Sequence, residues 1–221
     1  MSRLKVFLND IHNEYAKARY VYNSNSQRLI RGRSRSISSI SEDLFAGLLR
    51  KEIKSKKVRI FVDQGISLVG KKQTYYPDII VCTEIDKNEY EIFFMIDLKT
   101  DIGFKRKSIF KIPKKHEKEC KKMKSVAELK GKRGDVENEK KKEIKFILNK
   151  KTSYDVVIIS SASSSRREEK LLQLSKDNKE NIWVLSTGRH PNWYQEKKDK
   201  QVIANEKDWE KLIKKIKKII K

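Results

Sequence analysis

Two short acidic motifs stand out by their setting rather than their spelling. Pro77-Asp78 lies in the run YYPDIIVCT, and nineteen residues on Asp97-Leu98-Lys99 closes the run YEIFFMIDLK. The second pattern alone says little in a chain this rich in lysine. Acidic-any-Lys occurs nine times, beginning at Glu52, Asp97, Glu119, Glu128, Glu139, Glu143, Glu168, Asp177 and Glu196. Eight of these read as solvated helix or loop; only Asp97 follows an apolar run, Ile92-Phe93-Phe94-Met95-Ile96. A carboxylate that closes a buried strand needs a partner, because an unpaired charge is rarely taken out of water. Strand side chains alternate, so Asp97 and Lys99 point one way and Leu98 the other, toward the core. If the strand bearing Asp78 pairs alongside, two carboxylates and an ammonium converge at one sheet end. Adjacent carboxylates repel unless they share a divalent cation, and Mg²⁺ takes such oxygens while keeping several waters. A cation held there activates a water and stabilises charge on a phosphoryl oxygen, while the lysine orients or deprotonates that water. The chemistry expected is metal-assisted phosphodiester hydrolysis. The plainer alternatives are a strand-end salt bridge for Asp97 and Lys99, and a turn-forming Pro-Asp for Asp78.

These residues must be positioned by a sheet and its flanking helices. Residues 4–22 carry an apolar stripe, Leu4, Leu8, Ile11, Tyr15, Ala18 and Tyr22, at helical spacing. A Ser/Arg/Asn-rich loop covers 23–41. Ser39 three residues before Glu42 forms a capping-box pattern ahead of a second helical face, Leu44, Phe45, Leu48, Leu49 and Ile53. Val58–Val62, Tyr75–Thr83 and Tyr90–Leu98 read as strands, the last two joined as a hairpin at Asp86-Lys87-Asn88. Residues 114–149 are highly charged and read as mostly helical, with a break near Gly131–Gly134. Tyr154–Ser160 and Ile182–Ser186 read as buried strands with a short helix between them, and an amphipathic helix closes the chain. The expected fold is α/β, a mixed central sheet with helices on both faces and crossovers joining its later strands. The 221 residues read as one domain: an N-terminal helix and basic loop (1–41), a core (42–187), and a loop with a C-terminal helix (188–221).

Lys and Arg number 53 against 30 Asp and Glu, a net charge of +23, which favours a polyanionic partner. Lysine abundance can follow from an AT-rich genome, so the 13 arginines, scarce and uneven, carry more information. No apolar run approaches about 18 residues and no signal-peptide pattern opens the chain, so a membrane span is not expected. Two cysteines, Cys82 and Cys120, fit a reducing compartment and a cytoplasmic protein. His116 and Cys120 are four apart, but two ligands do not make a zinc site. No CxxC, nucleophile elbow or P-loop is present, so redox, acyl-transfer and ATP-driven chemistry find no support.

YYPDIIVC and FFMIDLK together resemble the PD-(D/E)xK nuclease superfamily, in particular type II restriction endonucleases. The motifs cover residues 42–99 and the element order 42–187. The resemblance implies a restriction-endonuclease-like αβββαβ core, with Asp78 and Asp97 as metal ligands, the Leu98 carbonyl as a third, and Lys99 as the catalytic lysine. A further glutamate from the preceding helix is implied, with Glu42 the best match and Glu52 second; as a bare residue, a glutamate at a helix start such as Glu42 is more often a cap. The implied cofactor is Mg²⁺, with Mn²⁺ as substitute and Ca²⁺ binding without cleavage. The implied products carry 5′-phosphate and 3′-hydroxyl ends.

Duplex recognition is expected from three arginine-bearing polar loops, 26–36, 161–167 and 187–195. Lysines supply phosphate contacts, and forked donors read base edges. The candidates are Arg31, Arg33, Arg35, Ser163, Arg166, Arg167, Arg189 and Asn192, with Lys105 and Arg106 after the catalytic strand. One site per chain implies a homodimer on a palindromic duplex, and the resemblance implies a cognate DNA methyltransferase. Two further readings stay open: a structure-specific repair or junction nuclease, and a non-catalytic basic nucleic-acid-binding protein.

Overall fold

The computed structural model describes residues 1–18, 36–101, 107–126, 128–133, 142–161, 165–177, 181–188, 190 and 202–220. An eight-stranded mixed sheet runs through it, with helices on both faces. The α/β expectation holds at that level.

Helix α1 (Arg3–Lys17) starts where the Ser2 hydroxyl accepts the Lys5 N–H at 3.2 Å, and buries Leu4, Phe7, Leu8 and Ile11. Its last turn closes before the expected end at residue 22, and residues 19–35 lie outside the described set. Helix α2 (Ser38–Glu52) begins earlier than the Ser39 capping pattern suggests, with Ile37 at the cap position. Ser39 is therefore helical, and Glu42 instead accepts from Ser38 Oγ at 3.2 Å.

Strands β1 (Val58–Val62), β4 (Ile79–Asp86) and β5 (Glu89–Asp101) form an antiparallel meander. The β4–β5 turn is Lys87-Asn88, where Asn88 takes φ 60°, a conformation asparagine tolerates better than most residues. Between β1 and β4 the chain makes a small hairpin, β2 (Ile66–Leu68) and β3 (Thr74–Tyr75), at the far edge of the sheet. The expected single strand Tyr75–Thr83 is thus two strands separated at Pro77-Asp78. Proline has no N–H to give a ladder, which ends one strand and leaves Asp78 at the mouth of the next.

The larger departure lies in 142–149, expected to be helical. It forms the first half of β7 (Lys142–Ser160), antiparallel to β6 (Leu129–Arg133) and parallel to β5. Ile144 and Phe146 are buried while Glu143 and Lys145 are exposed, a period-two pattern hidden among charges. Four residues of β7, 149–152, bulge opposite Phe93, and Thr152 Oγ1 fills the break by donating to the carbonyls of Ile92 and Asn149 at 2.7 Å. Beyond the bulge β7 continues beside β5 and β8 (Ile182–Val184), both parallel to it. The β5–β7 crossover carries a 3-10 turn (Lys107–Lys111), helix α3 (Ile112–Lys124) and β6; helix α4 (Ser165–Asp177) carries the β7–β8 crossover. Strands β9 (Ser186–Gly188) and β10 (Val202–Ala204) form a separate ribbon ahead of α5 (Glu206–Ile220).

One sheet face packs α1, α2 and α5 through Leu4, Phe45, Leu49, Trp209 and Leu212 onto Phe94, Ile96 and Leu98. The other packs α3 through Cys120 and Met123 onto Ile80, Met95 and Tyr154, and α4 through Leu171 onto Ile158 and Val184. Among the described residues, no helix is long and apolar enough to cross a membrane.

Candidate functional site

The last β4–β5 pair is Ile79 with Ile96, so both acidic motifs lie just beyond the end of that ladder. Leu98 turns its side chain into the α1/α2/α5 core, which sends Asp97 and Lys99 to the α3 face. The Leu98 N–H donates to Asp78 Oδ2 at 2.5 Å and ties the start of β4 to the body of β5. In a ladder the N–H and C=O of one residue face the same edge. The Leu98 carbonyl therefore also faces the β4 side, where strand pairing has ended. Lys99 Nζ lies 2.5 Å from Asp97 Oδ1 and 4.0 Å from Asp78 Oδ2. The two carboxylates and the ammonium converge.

Their electrostatics differ. Burial and then the Asp97 charge push the Asp78 carboxyl up to about 7, while Lys99 and the Leu98 N–H draw it down. Burial also opposes ionisation of Asp97, yet His116 and Lys99 outweigh it and hold its carboxyl below the ordinary value. The Asp97 charge thus makes a second charge on Asp78 costly. That repulsion is what a divalent cation relieves, and the donor set of carboxylate and backbone oxygens suits Mg²⁺. Among the described residues, no three His, Cys, Asp or Glu side chains form a shell for an ion. An ion on Asp78 and Asp97 would therefore complete its shell with the Leu98 carbonyl, water or phosphate.

Glu42 stands at the start of α2, and its charge reaches both Asp78 and Lys99. Partial burial, then the charges of Asp63 and Asp43, raise its carboxyl, while Lys99 and the Ser38 hydroxyl pull it down. Its hydrogen-bond partner is Ser38. Glu52 sits at the opposite end of α2, paired with Arg3 at 3.1 Å, which removes it from the site. Asp63 carries no motif in the sequence, yet its N–H donates to the Asp78 carbonyl at 2.9 Å and its charge acts on Glu42.

Sequence reasoning also missed the α3 contribution. His116, 5% exposed, brings Nε2 to 3.3 Å from Asp97 Oδ2, while its Nδ1 lies 3.0 Å from Glu119 Oε2. The imidazole stacks on Tyr154 with centroids 3.9 Å apart and planes 14° apart. Burial, followed by the charges of Asp97, Glu119 and Asp78, raises the Tyr154 hydroxyl above its ordinary value. Cys120 turns away and meets the Thr152 carbonyl, so it makes no pair with His116.

Asp101 lies 3.5 Å from His190, and Tyr15 of α1 packs edge-on against that imidazole. Tyr76, just before Pro77, is 66% exposed, and its ring covers Gly65 so closely that a Cβ there would meet Cε1 at 2.9 Å. Arg166 and Arg167 fall in the first turn of α4 rather than in a loop, and their side chains lie outside the described set. Arg31, Arg33, Arg35, Lys105, Arg106, Ser163, Arg189 and Asn192 also lie outside it. No family model matches the chain, and no curated protein or solved structure matches it either.

Proposed function

We propose that the chain is a Mg²⁺-dependent, site-specific DNA endonuclease that hydrolyses phosphodiester bonds in double-stranded DNA, in the manner of type II PD-(D/E)xK restriction enzymes. One observation carries the reading: Lys99 Nζ contacts Asp97 Oδ1 and reaches Asp78 Oδ2 just beyond the point where the β4–β5 ladder ends. The succession α2, β1, β4, β5, α3, β7 supports a restriction-endonuclease-like αβββαβ core, with the β2–β3 hairpin and β6 as additions. A net charge of +23 supplies attraction for the polyanion.

Bound Mg²⁺ would supply Lewis-acid stabilisation of a phosphoryl oxygen and a more acidic water. Asp78, Asp97 and the Leu98 carbonyl are the groups that would hold it, with Glu42 close enough to add charge. The Leu98 N–H fixes the Asp78 carboxylate by its Oδ2. Lys99 brings a positive charge to the scissile phosphate and orients the attacking water, and the products carry 5′-phosphate and 3′-hydroxyl ends. Cutting both strands requires two such centres, so the active form is a homodimer on a near-palindromic duplex, partnered in the cell by a protecting methyltransferase.

Plasmid digestion with Mg²⁺ tests this. Wild type yields discrete bands with mappable ends. Asp97→Asn and Lys99→Ala lose about a hundredfold to a thousandfold in rate while retaining DNA binding. Wild-type rates in either variant overturn the assignment. Cutting confined to branched or nicked DNA moves the substrate class to repair intermediates, and no metal-dependent cutting leaves a nucleic-acid-binding protein.

A further inference from the structure

We infer that His116, held by Glu119, is the positioning residue for Asp97, an inference that rests on the metal-dependent reading above. Both oxygens of Asp97 are addressed by the protein: Oδ1 by Lys99 and Oδ2 by His116. The two contacts are unequal. Lys99 is at full hydrogen-bond distance, whereas His116 Nε2 is buried, 3.3 Å from Oδ2, and forms no aligned hydrogen bond. A buried ring nitrogen without an aligned partner favours bringing Oδ2 fully onto Nε2.

The imidazole itself cannot readily turn to find another partner. Tyr154 stacks on its face, and Glu119, one turn later on α3, holds Nδ1. The movable group is therefore the Asp97 carboxylate. Its rotation toward His116 loosens Oδ1 from Lys99, which frees Oδ1 for a cation and Lys99 for substrate. Glu119 and His116 thus set the plane of the acid without touching substrate or ion. Such outer contacts to a ligating carboxylate typically change metal affinity or activity by about 10- to 100-fold. An apolar residue would pack on Tyr154 equally well, so a purely structural role would not require this Glu–His–Asp alignment.

The test measures Mn²⁺ binding to the full-length chain without DNA, by electron paramagnetic resonance of the free ion, alongside steady-state cleavage. His116→Leu is expected to weaken Mn²⁺ binding about 10- to 100-fold and to lower kcat with KM for DNA unchanged. Glu119→Gln is expected to give an intermediate loss. His116→Gln, which returns a donor near Oδ2, restores part of the affinity and remains informative if the leucine variant does not fold. Wild-type Mn²⁺ affinity in folded His116→Leu, or in His116→Gln and Glu119→Gln where the leucine variant does not fold, overturns the positioning role and leaves the nuclease reading standing. Absence of Mn²⁺ binding by the wild type that Asp97→Asn abolishes overturns both.

Discussion

Of the two acids Asp78 holds a proton the more readily, because burial and the Asp97 charge push its carboxyl from the ordinary carboxylate range up to about 7. The folded state therefore holds this proton over a range where the unfolded chain releases it. The stability contributed by the neutral acid is present below about pH 4 and is lost as pH rises through about 7. Asp78→Asn removes the titration while keeping an acceptor for the Leu98 N–H. A tenfold change in proton affinity corresponds to about 1.4 kcal/mol, and partial solvent access at this site reduces the yield. The variant is expected to exceed wild type by about 1–3 kcal/mol at pH 8 without divalent ions and to converge with it near pH 4. Melting curves at both pH values check this; a lower melting temperature for Asp78→Asn at pH 8 refutes the electrostatic account. Asp97 and Lys99 were legible in sequence because a charge at the end of an apolar run violates the expected pattern. His116 and Glu119 were not, because they lie on a helix whose lysines make every acid resemble a solvated partner. The meeting of His116 with Asp97 depends on a crossover that brings α3 back over β5.

At the scale of elements, β5 and the second half of β7 form the paired strands behind the site, and α5 adds a buried ion pair to the apolar face it packs on them. Asp155 is fully buried on β7 and accepts from Trp183 Nε1 at 2.7 Å and Lys215 Nζ at 2.6 Å. Lys215 also donates to Ser153 and Asn181, and its ammonium lies over the rings of Phe94 and Trp183 at 5.3 and 5.6 Å. Lys215→Met keeps the packing stem but strands a buried carboxylate, a loss of about 3 kcal/mol. Adding Asp155→Asn is expected to recover much of that loss, since the pair and not the helix face carries it. Urea denaturation of the single and double variants checks this, and strictly additive effects exclude the coupling. The apolar stripe of α5 and the buried run at 154–160 were legible from periodicity. The bridge was not, because 60 residues separate its ends. Misreading 142–149 has a related cause: alternation of Ile144 and Phe146 with charged residues is short, and lysine suits a helix as well as an exposed strand edge.

For the whole molecule, a charge of +23 and a carboxylate site make opposite demands, and geometry separates them. Helix α3 shows how: its inner face presents His116 to Asp97, while Lys114, Lys118, Lys121 and Lys122 are exposed on the outside. Lys121 is matched by Glu117 and Lys122 by Gln73, which leaves Lys114 and Lys118, four residues apart, aligned on one exposed strip. A duplex drawn to that strip would lie beside the acidic strand ends without forcing phosphate onto the carboxylates before a cation is present. If α3 contacts the duplex, Lys114→Glu with Lys118→Glu removes about two phosphate contacts. The slope of log affinity against log salt should then fall in magnitude by about 1.8, since each contact releases about 0.9 counterion. Binding measured with Ca²⁺ over a KCl series reads the slope, and single-turnover cleavage at saturating enzyme reads the chemistry. The expected outcome is weaker, less salt-sensitive binding with the cleavage step intact. An unchanged slope places the duplex on another face. A collapsed cleavage rate at full occupancy instead means that the outer lysines help set the geometry on the inner face, so that affinity and catalysis are not separable in this helix.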